Sequence, residues 1–362
     1  MSKKVVLTIP HLSGGGAERV VSVWASQLAG SGLSVHILVS GRVGNEYPIS
    51  DKVAIHHIAD TYEEYNKLKL LQKIKIRRAV LKHIKPDYVV SFLPHIQIQT
   101  FLATIGMKLK RIETIRVSPW SLKFGKLNRI LWNLCINTSY ALILQTAEQG
   151  LFFPTRVQKK SIVIPNPIND LYRHTFKHSQ INLVQRFIAV GRITPQKNYP
   201  MMIRAFAQVC KDNPSIILDI FGEADSKSYK TSIEELIQTL GMGNHIHLCG
   251  RSNSIHEEYI SHDAFLMSSN FEGMPNALLE AMACGMVCLS TKCKTGPKDM
   301  IDNGKSGYLV DVADECAFAK TLMEIVKMSQ SERQLMGQCA RETIMKVCSS
   351  EASIRKLESI FS

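Results

Sequence analysis

Along the chain, short runs of β-branched and other apolar residues alternate with longer stretches whose apolar positions recur three and four residues apart. Val5–Ile9, Val35–Ser40, Tyr88–Phe92, Arg111–Arg116, Ala141–Gln145 and Ser161–Ile164 have the length and composition of strands. Ala17–Leu28 and Leu122–Asn137 lie between them with helical spacing. This alternation predicts βαβ units and a parallel sheet. Residues 165–185 break the rhythm with two prolines and an uneven polar stretch, which predicts a change of domain. The pattern restarts with Arg186–Val190, Ile216–Phe221, Ile246–Cys249, Ala264–Ser268, Val287–Ser290 and Tyr308–Val310, and from about residue 313 it is helical. The expected fold is α/β, two successive doubly wound parallel-sheet domains. We assign 1–170 to the first, 171–185 to a linker and 186–345 to the second. A C-terminal helix over 346–362 is placed to pack back on the first domain.

The length of 362 residues suits two domains, and 45% hydrophobic content with 21% charge is that of a globular chain. It excludes a disordered tail, a collagen-like fibre and a disulfide-dense mini-protein. No window approaches 18 consecutive apolar residues, so no bilayer span is expected. MSKKVVLTIP runs from two lysines straight into a strand, without the apolar core of a signal peptide. A cytoplasmic chain is therefore expected. Its nine cysteines form no C-x-x-C pair and have no zinc-like neighbours, which predicts reduced, mostly buried thiols.

Charge adds more. Residues 1–180 hold 25 Lys/Arg against 10 Asp/Glu, a net of +15, and the remainder holds 19 against 21, a net of −2. A basic half faces something anionic: nucleic acid, a lipid surface or a phosphorylated substrate. Lys67–Lys85 concentrates the excess, with eight Lys/Arg, one His and no acid. With Leu71, Ile74, Leu81 and Ile84 at helical spacing, it reads as a basic amphipathic helix for an anionic membrane surface. No nucleic-acid motif is present and no aromatics interleave with these cations, which counts against nucleic acid as the partner.

In doubly wound sheets, ligands bind beyond the carboxyl ends of the strands. Three loops there have unusual content. After the first strand, Gly14, Gly15 and Gly16 precede a helix and let an anion approach free N–H groups. A tight strand-to-helix turn explains the same residues. The loop is not a dinucleotide fingerprint, because Arg19 stands where the third glycine belongs and the second strand ends in Ser40-Gly41-Arg42, without an acid. That counts against an NAD(P)-dependent oxidoreductase. After the first strand of the second domain, Arg192 and Lys197 flank a helix start at Pro200, a place for a diphosphate. The third loop holds Glu272, then Gly273, Met274, Pro275, Asn276 and Ala277 opening a helix, then Glu280. One carboxylate suits sugar hydroxyls and the other a ribose, although such a pair alone also fits a helix start and a solvated face.

Taken in order, the glycine loop, G-R-x4-K-N and E-G-x-P-N-x3-E resemble glycosyltransferase family 4, retaining enzymes of GT-B fold. Val163-Ile164-Pro165-Asn166-Pro167, Gly250-Arg251, Gly296-Pro297-Lys298-Asp299 and Asn303-Gly304 extend the likeness over nearly the whole chain. Ser91-Phe92-Leu93 is similar to a turn in bacterial enzymes that build surface polysaccharides or lipid-linked oligosaccharides. Their second motif, S-E-R-N-D-P, reads Thr114-Ile115-Arg116-Val117-Ser118-Pro119 here, keeping Arg116 and Pro119 but not the glutamate and asparagine.

The resemblance implies an active site in the cleft between the two domains. It further implies that Gly15 and Gly16 approach the donor diphosphate, Arg192 and Lys197 neutralise it, and Arg251 and residues 273–277 line the donor site. Glu272 is implied on the donor sugar, Glu280 on the ribose, and Arg116 and His95 on the acceptor side. The implied donor is a nucleotide-sugar carrying UDP, a hexose or N-acetylhexosamine the group moved, and an undecaprenyl-diphosphate-linked glycan the acceptor. The setting is cell-surface polysaccharide synthesis at the inner membrane face. No D-x-D occurs, so neither a metal nor any cofactor is expected, and fixed cations with helix N-termini are left to stabilise the leaving diphosphate. Retention by front-face displacement needs no protein nucleophile.

Overall fold

The computed structural model describes residues 2–169, 171–172, 175, 184–348 and 350–361. They form two compact units, Met1–Pro167 with Ser350–Ser362, and Ile168–Ser349.

The first unit is built on seven parallel strands: β1 (Lys4–Ile9), β2 (Ser34–Val39), β3 (Ala54–His57), β4 (Tyr88–Ser91), β5 (Lys110–Thr114), β6 (Ala141–Leu144) and β7 (Ser161–Val163). Their order is β3-β2-β1-β4-β5-β6-β7. Alternate residues face opposite sides, as the two-residue period demands. Val5, Leu7, Val90, Ile112 and Ile143 form one core with Trp24 of α1 (Gly16–Gly30). Val6, Leu38 and Val89 pack with Leu81 of α3 (Leu70–Ile84), and Leu142 with Ile98 of α4 (Pro94–Thr104) and Trp132 of α5 (Lys126–Asn137). Between β3 and α3 runs α2 (Tyr62–Lys67), closed at its start by a Thr61/Glu64 capping box. The strand β3 has no expected counterpart. Its Ala-Ile-His-His sequence lacks an apolar run, it sits at the sheet edge with Ala54 and Ile55 exposed, and pairing with β2 holds it.

The second unit carries β8 (Arg186–Val190), β9 (Ile217–Phe221), β10 (Ile246–Gly250), β11 (Ala264–Met267), β12 (Val287–Thr291) and β13 (Tyr308–Val310), in the order β10-β9-β8-β11-β12-β13. Its longer helices are α6 (Tyr199–Asp212), α7 (Lys227–Thr239), α8 (Ile255–Ser261), α9 (Asn276–Ala283), α10 (Glu315–Lys327) and α11 (Gln330–Val347). All its strand pairs are parallel.

The last helix, α12 (Ser350–Phe361), belongs to the first unit and buries Leu357, Ile360 and Phe361 in the core beside α1. It begins four residues later than 346, because α11 runs to Val347. Of the linker expected over 171–185, residues 173–174 and 176–183 lie outside the described residues. Tyr172 is buried in the core of the second unit. All nine cysteines are free thiols, six of them buried. Among the described residues, no helix is long and apolar enough to cross a membrane.

Candidate functional site

In the second unit the strand order reverses between β8 and β11, and the loops leaving their carboxyl ends bound one crevice. The β8 loop begins at Gly191, where φ is 156° and an added Cβ would strike the Lys197 side chain. A single 3-10 turn, Pro195–Lys197, and Asn198 in the left-handed region lead into α6.

The β11 loop is laced onto it. Ser268 Oγ donates to the carbonyls of Lys197 (2.8 Å) and Asn198 (3.0 Å). Asn270 N donates to Gln196 O (2.8 Å), and Gln196 Nε2 to Phe271 O (2.9 Å). These bonds bring Lys197 Nζ to 2.8 Å from Glu272 Oε1, across 75 residues of chain. Ser269 Oγ donates to the same oxygen at 2.7 Å, and Thr295 Oγ1 to the Glu272 carbonyl at 2.6 Å. Glu272 is 7% exposed. Its charge is felt nearby: burial first and Glu272 second raise the Tyr199 hydroxyl and push the Cys293 thiol up to about 12. Gly296, at φ 87°, lets the next loop close on Gly273 and Pro275, where a Cβ would collide with the Gly273 carbonyl.

The other expected donor residues differ in character. Arg192 is solvated, 3.3 Å from Asp225 with both side chains half exposed or more, and Arg251 is exposed. The Met274 side chain is packed in the apolar core, so only its backbone could face a ligand. Asn276 and Ala277 are half-buried and open α9, whose N-cap residue Pro275 supplies no side-chain cap. Glu280 is buried; the hydroxyls of Tyr172 and Tyr259 each donate to its Oε2 at 3.2 Å.

In the first unit the glycine loop has a feature that the sequence reading missed. Gly14 is left-handed (φ 78°), and the Glu18 carboxylate folds back over Gly15, where a Cβ would collide with it. The start of α1 therefore already faces a buried anion. An acid in the first helical turn is the sequence signal for it. Arg116 stacks on Trp24 (4.3 Å) and Phe92 (5.2 Å), and its Nη1 donates to Asn166 Oδ1 at 3.1 Å. Its Nε and Nη2 are buried without a partner. A desolvated guanidinium left so is costly alone and suited to an incoming anion. His95, at the start of α4, is exposed, and partial desolvation with the nearby charges of Arg77, Lys73 and His11 lowers its pKa below the usual imidazole value.

The basic stretch Lys67–Lys85 is not one amphipathic helix. It spans the end of α2, a break at Leu68 and Lys69, and α3. Arg77 is fully buried: Nη1 donates to Thr8 Oγ1 (2.5 Å), and Nη2 reaches Gln99 Oε1 at 3.4 Å. Arg78 closes the end of α4 by donating to the carbonyls of Ala103 and Ile105. Of the apolar positions expected to share one membrane-facing stripe, Leu71 is 71% exposed, whereas Leu81 and Ile84 are core. The helical period was read correctly, but a guanidinium on the inner face cannot be told from sequence. Among the described residues, no group of three or more His, Cys, Asp or Glu side chains could hold a metal ion.

Residues 175–343, nearly all of the second unit, match the family described as glycosyl transferases group 1. That stretch is similar to glycosyl transferases group 1, and the chain has the GT-B fold. Its relatives include bacterial enzymes named for polysaccharide and lipid-linked glycan synthesis. A Campylobacter jejuni α-1,4-N-acetyl-D-galactosaminyltransferase, named for a glycan on diphospho-undecaprenol, is 24% identical over 345 residues, 92% of each chain. Among solved structures, sucrose-phosphate synthase of Thermosynechococcus elongatus superposes with a TM-score of 0.85 at 16% identity, covering 99% of this chain and 98% of that one. An Anabaena protein in complex with UDP-glucose gives 0.80 at 15% identity, covering 99% of each. At these identities the two structures share the fold.

Proposed function

We propose that this chain is a retaining transferase. It moves a hexose or N-acetylhexosamine from a UDP-sugar to an undecaprenyl-diphosphate-linked glycan, at the inner membrane face during cell-surface polysaccharide synthesis. The observation that carries the reading is the buried Lys197–Glu272 pair, held at the carboxyl ends of β8 and β11 where the sheet order reverses. Lys197 supplies a fixed cation to the leaving diphosphate, and the flexible Arg192 leaves Asp225 to join it. The N–H groups of residues 273–277, at the start of α9, add to the same field. Glu272 accepts from donor sugar hydroxyls, and Glu280, steadied by Tyr172 and Tyr259, takes the ribose. Arg116 offers two unpartnered donors to an anionic group, and His95 can donate or accept a hydrogen bond. The acceptor hydroxyl enters on the face the diphosphate leaves, and its proton passes to a phosphate oxygen. No metal is required, because the cations named above carry the diphosphate charge.

The UDP assignment draws support from the nucleotide named in the Anabaena complex, and the lipid-linked acceptor from the Campylobacter relative. A thermal-shift panel of UDP-sugars, GDP-sugars, NAD and single-stranded RNA tests the reading. Protection by a UDP-sugar, lost in Glu272→Gln, is expected. Protection by NAD or RNA alone would overturn it.

A further inference from the structure

The helix α5 is amphipathic twice over. Trp132, Cys135 and Ile136 face the core. On the opposite side Leu127, Ile130 and Leu134 are 69%, 63% and 47% exposed. At 100° per residue these three fall within a 60° arc pointing away from the protein. Such a stripe of large apolar side chains marks an interaction surface.

Its surroundings select the partner. Residues 65–147 contain 15 Lys/Arg but only two acids, Asp87 and Glu113, and Glu113 is buried. Lys123, Lys126 and Arg129, next to the stripe, are exposed. Trp120, one-third exposed, stands edge-on to Phe152, whose neighbour Leu151 is 71% exposed. Exposed apolar residues with exposed cations beside them match the layered chemistry of an anionic bilayer: acyl chains inside, phosphates at the rim.

The fold also sets the direction. The helices α3, α4 and α5 lie side by side on one sheet face, α4 packing against both neighbours. Both α3 and α5 join parallel strands and so run antiparallel to them, parallel to each other. Their N-terminal halves share the carboxyl end of the sheet. Exposed Leu70, Leu71, Lys69 and Lys75 lie at that end of α3, and Lys123, Lys126, Leu127, Arg129 and Ile130 at that end of α5.

We infer that α5 inserts its Leu127–Ile130–Leu134 stripe into the headgroup boundary of an anionic membrane, with Lys123, Lys126 and Arg129 on the lipid phosphates. The basic start of α3 supplies long-range attraction, and α5 supplies the apolar anchor. Flotation with vesicles of phosphatidylcholine containing phosphatidylglycerol, beside pure phosphatidylcholine, measures the binding without turnover. A failure here therefore leaves the transferase reading untouched.

The wild-type chain should float with the anionic vesicles only. Leu127→Gln/Ile130→Gln/Leu134→Gln changes solvent-exposed side chains, so its melting temperature should stay put while partitioning falls roughly a hundredfold. Lys123→Gln/Lys126→Gln/Arg129→Gln should lose binding too, and high salt should weaken the wild type. Flotation of the apolar variant at wild-type level overturns the inference. So does a wild-type dimer by light scattering that the apolar variant converts to a monomer without any loss of flotation, since a second copy would then cover the stripe.

Discussion

Lys197 Nζ and Glu272 Oε1 stand 2.8 Å apart in a site where both side chains are mostly buried. The two charges are therefore coupled before any ligand arrives. Removing either leaves the other desolvated and unpaired, which costs more than the pair itself contributes.

The first prediction is thus a cycle rather than a single loss. Lys197→Met and Glu272→Gln should each slow transfer by a hundredfold or more, on the order of 3 kcal/mol. Each should also destabilise the second unit, Lys197→Met the more because it strands a carboxylate. The double variant should be more stable than the two single effects sum to, by on the order of 2 kcal/mol. Denaturant melts of all four proteins measure this coupling. Strict additivity would mean that the pair is not formed in solution.

If Lys197 and Arg192 carry the diphosphate charge as proposed, transfer should persist in excess EDTA. An absolute need for magnesium or manganese in the same assay would contradict the assignment of the phosphate site.

Stability should depend on pH through Glu113. This buried carboxyl on β5 lies 3.2 Å from Arg111 Nη1, and burial outweighs that charge, raising it from 4.5 to about 7. Between those values the native state holds a proton that the unfolded chain has released. The contribution is complete below about pH 4.5 and is lost as pH rises towards 7, a swing on the order of 3 kcal/mol. Hydrogen exchange of the β5 and β6 amides at pH 5 and pH 7 should follow that sign, and Glu113→Gln should flatten it.

Phe361→Ala should loosen the first unit. The ring is 2% exposed, edge-on to Tyr88 in the α1/α12 core. Truncating such a side chain costs about 3–5 kcal/mol. Protease mapping should show cleavage within residues 2–167 accelerating while the second unit resists. Equal loss in both units would show that α12 stabilises more than its own core.

The period-two and period-3.6 patterns were enough to read twelve of the thirteen strands among the described residues to within about two residues, because buried parallel strands are continuous apolar runs. The exception is β3: at an exposed edge, Ala-Ile-His-His needs no apolar pattern and owes its conformation to β2. Sequence also pointed to Glu272 and Lys197, since charged residues in glycine- and proline-marked loops after strands are legible locally, and to Arg116 through the family resemblance. What it could not supply is partnership across the chain. The meeting of Lys197 with Glu272 depends on β8 and β11 being neighbours. Whether a cation is solvated like Arg192, stacked like Arg116 or enclosed like Arg77 depends on which other elements cover it. The same limit hid the outward stripe of α5, whereas the Glu18 carboxylate over Gly15 is a local contact that an acid in the first helical turn signals. Period and propensity are properties of a few neighbouring residues, whereas burial and charge pairing are properties of surfaces that only the folded chain brings together.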